Sequence, residues 1–86
     1  MNIVKIEAYT LPGCSACKTL KELFDRAKVP YQEITVNKDI TLQEFQSHRP
    51  NVRNFPFVVI DGHPIGGLVE VVQLFVNEGL VSSKKK

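Results

Sequence analysis

Eighty-six residues with 43% hydrophobic content suffice for one compact domain and fall well short of two independent cores. The net charge is only +2, and three of the eleven basic residues are the terminal Lys84, Lys85 and Lys86, so the body is near neutral and carries no Lys/Arg stripe suited to nucleic acid. Charges interrupt Met1 to Glu7 before a signal h-region or a membrane span can accumulate, which argues against membrane residence and makes a cytoplasmic location the expectation. A single domain over residues 1–80, followed by a flexible basic tail over 81–86, is the expected organisation.

Ile3 to Tyr9 is apolar and β-favouring and stops at Thr10-Leu11-Pro12-Gly13, so it predicts a buried first strand and then a turn. From Ser15 to Lys28, Leu20, Leu23, Phe24 and Ala27 recur at helical spacing with charges on the other face, and Pro30 forbids continuation. Tyr31 to Val36 alternates as a second strand. Asp39 or Thr41 can cap a short helix carrying Leu42 and Phe45, which Pro50 closes. After Phe55-Pro56, the run Phe57 to Ile60 predicts a third strand, Asp61-Gly62 a tight hairpin, and His63 to Ile65 the return strand. Gly66-Gly67 precedes a last helix with Leu68, Val71, Val72, Phe75 and Val76 on one face, and Gly79 suits its C-terminal cap. The order β-α-β-α-β-β-α, a right-handed βαβ unit followed by an antiparallel hairpin, predicts an α/β fold with a small mixed sheet and helices on both faces.

Cys14 and Cys17 fall where the first strand hands over to the first helix. Residues three apart in a helical turn have Cα atoms about 5 Å apart, a separation that suits a disulfide. As a structural staple this pair would close too small a loop to constrain the unfolded chain. Cys14 stands at the helix start, where unpaired N–H groups and the positive end of the dipole favour an anion, so it is the expected nucleophile; Cys17, one turn in, suits the resolving role. Two ordinary buried cysteines are the plainer alternative. Zinc would need His48 and His63 as well, and their spacing matches no common finger, so no metal site is expected from these residues.

The segment Tyr9-Thr10-Leu11-Pro12-Gly13-Cys14-Ser15-Ala16-Cys17 resembles the active-site segment of the glutaredoxins, commonly Tyr-Thr-x-x-x-Cys-Pro-Tyr-Cys. Phe55-Pro56 stands where that family has Thr-Val-Pro, and Asp61-Gly62 and Gly66-Gly67 fall at matching places, so the resemblance spans about Ile3 to Gly79. It implies a thioredoxin-like, four-stranded mixed sheet flanked by helices, and a thiol–disulfide oxidoreductase that uses glutathione and acts, as a monomer, on disulfide-bearing protein substrates such as a reductase. It also implies a cis Pro56 facing the cysteines, with Phe55, Pro56, Gly66, Gly67 and Leu68 binding glutathione; the plainer reading of Pro56 is a trans proline opening an edge strand.

The departures from the family pattern are specific. Ser15-Ala16 replaces Pro-Tyr, Leu11 stands where many relatives carry lysine, and Leu68-Val69-Glu70 replaces a polar-Asp-Asp stretch, leaving Arg53, Lys18 and Glu70 as the charges available to hold glutathione. Alternatives to glutathione-dependent exchange are a redoxin reduced by thioredoxin reductase, a dimer sharing a labile [2Fe–2S] cluster through Cys14, and an interaction module with inert cysteines.

Overall fold

The computed structural model describes residues 5–52 and 54–79. The expectations for Arg53 and for the tail, and the Ile3–Val4 start of the first strand, lie outside the described residues. Seven elements follow in chain order: β1 (Ile6–Thr10), α1 (Ser15–Ala27), β2 (Gln32–Thr35), α2 (Leu42–His48), β3 (Phe57–Ile60), β4 (His63–Gly66) and α3 (Leu68–Asn77). The sheet runs β2-β1-β3-β4; β1 pairs parallel with β2 and antiparallel with β3, and β3 pairs antiparallel with β4.

Period-two alternation sends the strand side chains to two cores. Ile6 and Ala8 of β1 with Val58 and Ile60 of β3 meet Leu20, Leu23 and Phe24 of α1 and Val71 and Phe75 of α3. On the opposite face Phe57 and Val59 meet Val36 and Phe45, with Tyr9, Leu11 and Phe55 packed around them. Phe45, 2% exposed, gathers the rings of Tyr9, Phe55 and Phe57 at centroid distances of 5.0, 5.1 and 6.2 Å. A β-strand buried on both sides reads as a continuous apolar run, which is why Phe57-Val58-Val59-Ile60 shows no alternation.

The turn chemistry matches the expectation closely. Asp61 and Gly62 have φ of 52° and 82°, the doubly positive geometry of a type I′ hairpin. Helix α1 ends with Lys28 in the left-handed region, its N–H and that of Val29 donating to the carbonyls of Asp25 and Phe24. Thr41, not Asp39, caps α2: its Oγ1 accepts from Glu44 N–H at 2.9 Å while Glu44 accepts from Thr41 N–H, a full capping box. Asp39 instead accepts from the N–H of Thr35 at 2.9 Å.

Element boundaries differ from the sequence reading: α1 ends at Ala27 and β2 is confined to Gln32–Thr35, and two other boundaries shift outward. Thr10, expected to begin the turn, is the last residue of β1, because it pairs with Thr35 of β2 and its buried hydroxyl donates to Glu33 Oε2 at 2.7 Å. Gly66, expected to follow β4, is its last residue, held opposite Val58 where the register shifts. Among the described residues no helix is long and apolar enough to cross a membrane.

Candidate active site

The loop Leu11-Pro12-Gly13 carries the chain from the end of β1 to the start of α1, and Gly13 adopts φ 77°, a conformation open to glycine at little cost. Cys14 is then the N-cap residue of α1, with extended φ and ψ of −90° and 114°. Its Sγ accepts from the backbone N–H of Cys17 at 3.2 Å, the arrangement by which a helix start favours negative charge. On its other side Sγ lies 3.8 Å from the carbonyl oxygen of Phe55, to which the thiol donates. The Phe55–Pro56 peptide bond is cis, as the resemblance implies.

Both thiols are free, Cys14 half-buried and Cys17 only 2% exposed beneath it. Burial, and after it the hydrogen bond with Cys14, push the Cys17 thiol up to about 11; the negative charges of Cys14 and Glu33 add to this, and the backbone at Leu11 acts against it. Cys17 is therefore held as a thiol at neutral pH while Cys14 occupies the exposed helix start.

Two grooves lie near this pair: the cysteines line one of them, and the other comes up to Cys14 through Phe55, whose carbonyl the thiol meets. The first, about 430 Å³, is lined by Ala16, Phe55, Pro56, Gly67, Leu68 and Glu70 among others. The second, about 740 Å³, opens on the α1–β2 side and is lined by Leu11, Cys14, Cys17, Lys18, Lys21, Glu33 and Lys38 among others. The sequence-predicted residues thus divide: Phe55, Pro56, Gly67 and Leu68 share one groove, Leu11 and Lys18 line the other, and Gly66, at φ 128°, lines neither. Arg53 is outside the described residues.

At the start of α3, Gly67 N–H donates to Glu70 Oε1 at 2.9 Å. Gly67 has no side chain, so only this half of a capping box exists and the carboxylate of Glu70 is engaged by its own helix. Glu33 was not singled out by the sequence. It sits opposite Ala8 in the parallel register and takes Thr10 on one oxygen and Lys21 Nζ at 3.3 and 3.4 Å on both. A glutamate at an inward position of a predicted strand was the only signal that could have found it. Among the described residues no three His, Cys, Asp or Glu side chains gather to hold a metal ion.

The glutaredoxin family model matches residues 6–65. The chain is 33% identical over 70 residues to glutaredoxin 1 of Rickettsia bellii (strain RML369-C), covering 77% of this chain and 71% of that protein. It is 28% identical over 71 residues to N-acetyl-S-hydroxy-L-cysteine reductase of Bacillus subtilis (strain 168), covering 81% and 76%. The crystal structure of a buckwheat glutaredoxin–glutathione complex superposes with a TM-score of 0.75 at 26% identity, over 87% of this chain and 71% of that one.

Proposed function

The chain belongs to the glutaredoxin family and is a thiol–disulfide oxidoreductase, and we propose that Cys14 is its nucleophile, Cys17 its resolving thiol and glutathione its reductant. The observation that carries this reading is the asymmetry of the pair. Cys14 lines one groove and meets the Phe55 carbonyl bordering the other, with a backbone N–H on its sulfur, and Cys17 is buried below it with its proton held tightly.

In this reading the Cys14 thiolate attacks the nearer sulfur of a mixed disulfide; the S–S bond breaks, and the departing thiolate takes the electron pair and a proton from solvent. The retained half, glutathione, lies in the Pro56 groove against the Phe55 backbone and the N-terminal turn of α3. Once Cys14 is bound in a disulfide its charge and its hydrogen bond no longer act on Cys17. Two of the causes that raise Cys17 then lapse, and it becomes easier to deprotonate when it is needed as the attacking thiol. A second glutathione attacks the sulfur of the one bound to Cys14 and leaves as glutathione disulfide, freeing the Cys14 thiolate. Where Cys17 has attacked first, one glutathione reopens the Cys14–Cys17 disulfide at Cys14 and another then removes it as glutathione disulfide. Thiols that must stay exchangeable accord with a reducing, cytoplasmic compartment and with a monomer whose Cys14 is open to protein disulfides.

A [2Fe–2S] cluster requires four thiolates. This chain offers one accessible sulfur, with Cys17 buried, so one chain does not hold a cluster by its own residues and no step runs through one. The test of the proposal is turnover of a glutathione-mixed disulfide with glutathione, and separately with thioredoxin reductase, as the reductant. Turnover with glutathione alone supports the proposal; turnover with thioredoxin reductase alone overturns its choice of reductant.

A further inference from the structure

The groove that Cys14 lines and the Pro56 groove beyond Phe55 differ in charge. Among the described residues, Glu70 is the one charged side chain lining the Pro56 groove. Among the described residues the larger groove carries Lys18, Lys21 and Lys38 against Glu33 alone. Glu33 is already engaged by Lys21 and Thr10. Lys18 and Lys38 are exposed, on α1 and on the turn after β2, and neither forms an ion pair among the described residues. An anion within that groove therefore meets two ammonium groups whose charge no carboxylate cancels, beside the sulfur that reacts.

From this juxtaposition we propose that the lysine-bordered groove is the subsite for the departing thiol, and that it selects small disulfides whose departing half carries a carboxylate. The inference rests on Cys14 as the attacking thiolate and adds a substrate class to it. For a symmetrical disulfide RS–SR, Cys14 forms a bond to one sulfur, and the other leaves as RS⁻ into the groove with the electron pair of the broken S–S bond. Cys17 then displaces the second RS⁻ and gives its proton to solvent. The protein ends as the Cys14–Cys17 disulfide, oxidised by two electrons, and the substrate as two thiols. Lys18 and Lys38 supply positive charge both to the carboxylate and to the departing sulfur.

The test uses the full chain, reduced and freed of reductant, in single turnover with three disulfides of similar size. These are 3,3′-dithiodipropionate (dianion), bis(2-hydroxyethyl) disulfide (neutral) and cystamine (dication), with acid quench, alkylation and mass spectrometry as the readout. Each rate is divided by that of the same disulfide with free 2-mercaptoethanol, which removes intrinsic reactivity. The expected order is dianion, neutral, dication, with the spread collapsing in 1 M salt, as screening of exposed charges requires. An exposed ion pair is worth roughly 1.5- to fivefold, so Lys18→Gln with Lys38→Gln should cut the dianion-to-neutral ratio about three- to tenfold, and Lys38→Glu should push it lower still. Both side chains are exposed, and far-UV circular dichroism checks that the variants fold. Normal reaction with the neutral disulfide but no charge order, or an order unmoved by the lysine variants, overturns the subsite alone. Failure to react with any of the three overturns the nucleophile assignment and the subsite with it.

Discussion

The raised titration of Cys17 gives a prediction in which each contribution has a named cause. A free thiol near 8.5 is about one quarter ionised at pH 8, whereas a thiol pushed to about 11 is ionised to roughly 0.1% there. Ionising Cys17 in the reduced protein thus costs about 3 kcal/mol more than ionising a free cysteine. The first cause is burial and the second the hydrogen bond with Cys14, so Cys14→Ser should lower the inflection without returning it to the ordinary range. The assay is residue-resolved alkylation with iodoacetamide between pH 6 and 12, followed by peptide mapping. Accessibility scales the rate at every pH, so the inflection reports the titration itself. A Cys17 inflection near 11 that falls in Cys14→Ser supports the reasoning. An inflection at or below 9 in the unaltered protein refutes it. The same shift sets a stability trend: a thiol raised in the folded state adds stability that is whole below the ordinary thiol range and is lost as pH climbs toward 11, so denaturation of the reduced protein should show the gap between it and Cys17→Ala narrowing over that window.

Three further outcomes follow from the packing and the caps. Glu70→Gln keeps an acceptor for Gly67 N–H but removes the negative charge from the Pro56 groove, so apparent KM for glutathione should fall about two- to fivefold at low salt and converge with the parent in 1 M salt. Phe45→Ala empties the centre of the α2-side core, where Phe45 contacts Tyr9, Phe55 and Phe57; it should cost about 3 to 5 kcal/mol by chemical denaturation and reduce exchange activity through the displaced Phe55. Thr41→Ala removes one half of the α2 capping box and should cost about 1 kcal/mol with little effect on exchange.

The helices and the hairpin were legible because their signals are local. The 3.6-residue spacing of Leu20, Leu23, Phe24 and Ala27 names the buried face of α1, and Asp61-Gly62 supplies the positive φ values that a type I′ turn needs. The end of β1 was not legible, since Thr10 reads as a turn residue until Glu33, 23 positions away, takes its hydroxyl. The cysteine pair declared itself by spacing and by its place at a helix start. The division of the site into two grooves did not: Leu11 and Phe55 pack against the same core cluster yet line different grooves. Nor did the pairing of Lys21 with Glu33, which depends on how β2 registers against β1 and sits beside α1, and on that pairing rests the distinction between a neutralised lysine and the uncompensated Lys18 and Lys38.

The central claim, that Cys14 attacks and Cys17 resolves, is tested most directly by trapping. Cys17→Ser incubated with glutathione disulfide should accumulate one glutathione on Cys14, seen by mass spectrometry of the digested protein, and should still turn over a glutathione-mixed disulfide. Cys14→Ser should do neither. Absence of a Cys14 adduct in folded Cys17→Ser, or equal loss of turnover in the two variants, would contradict the account.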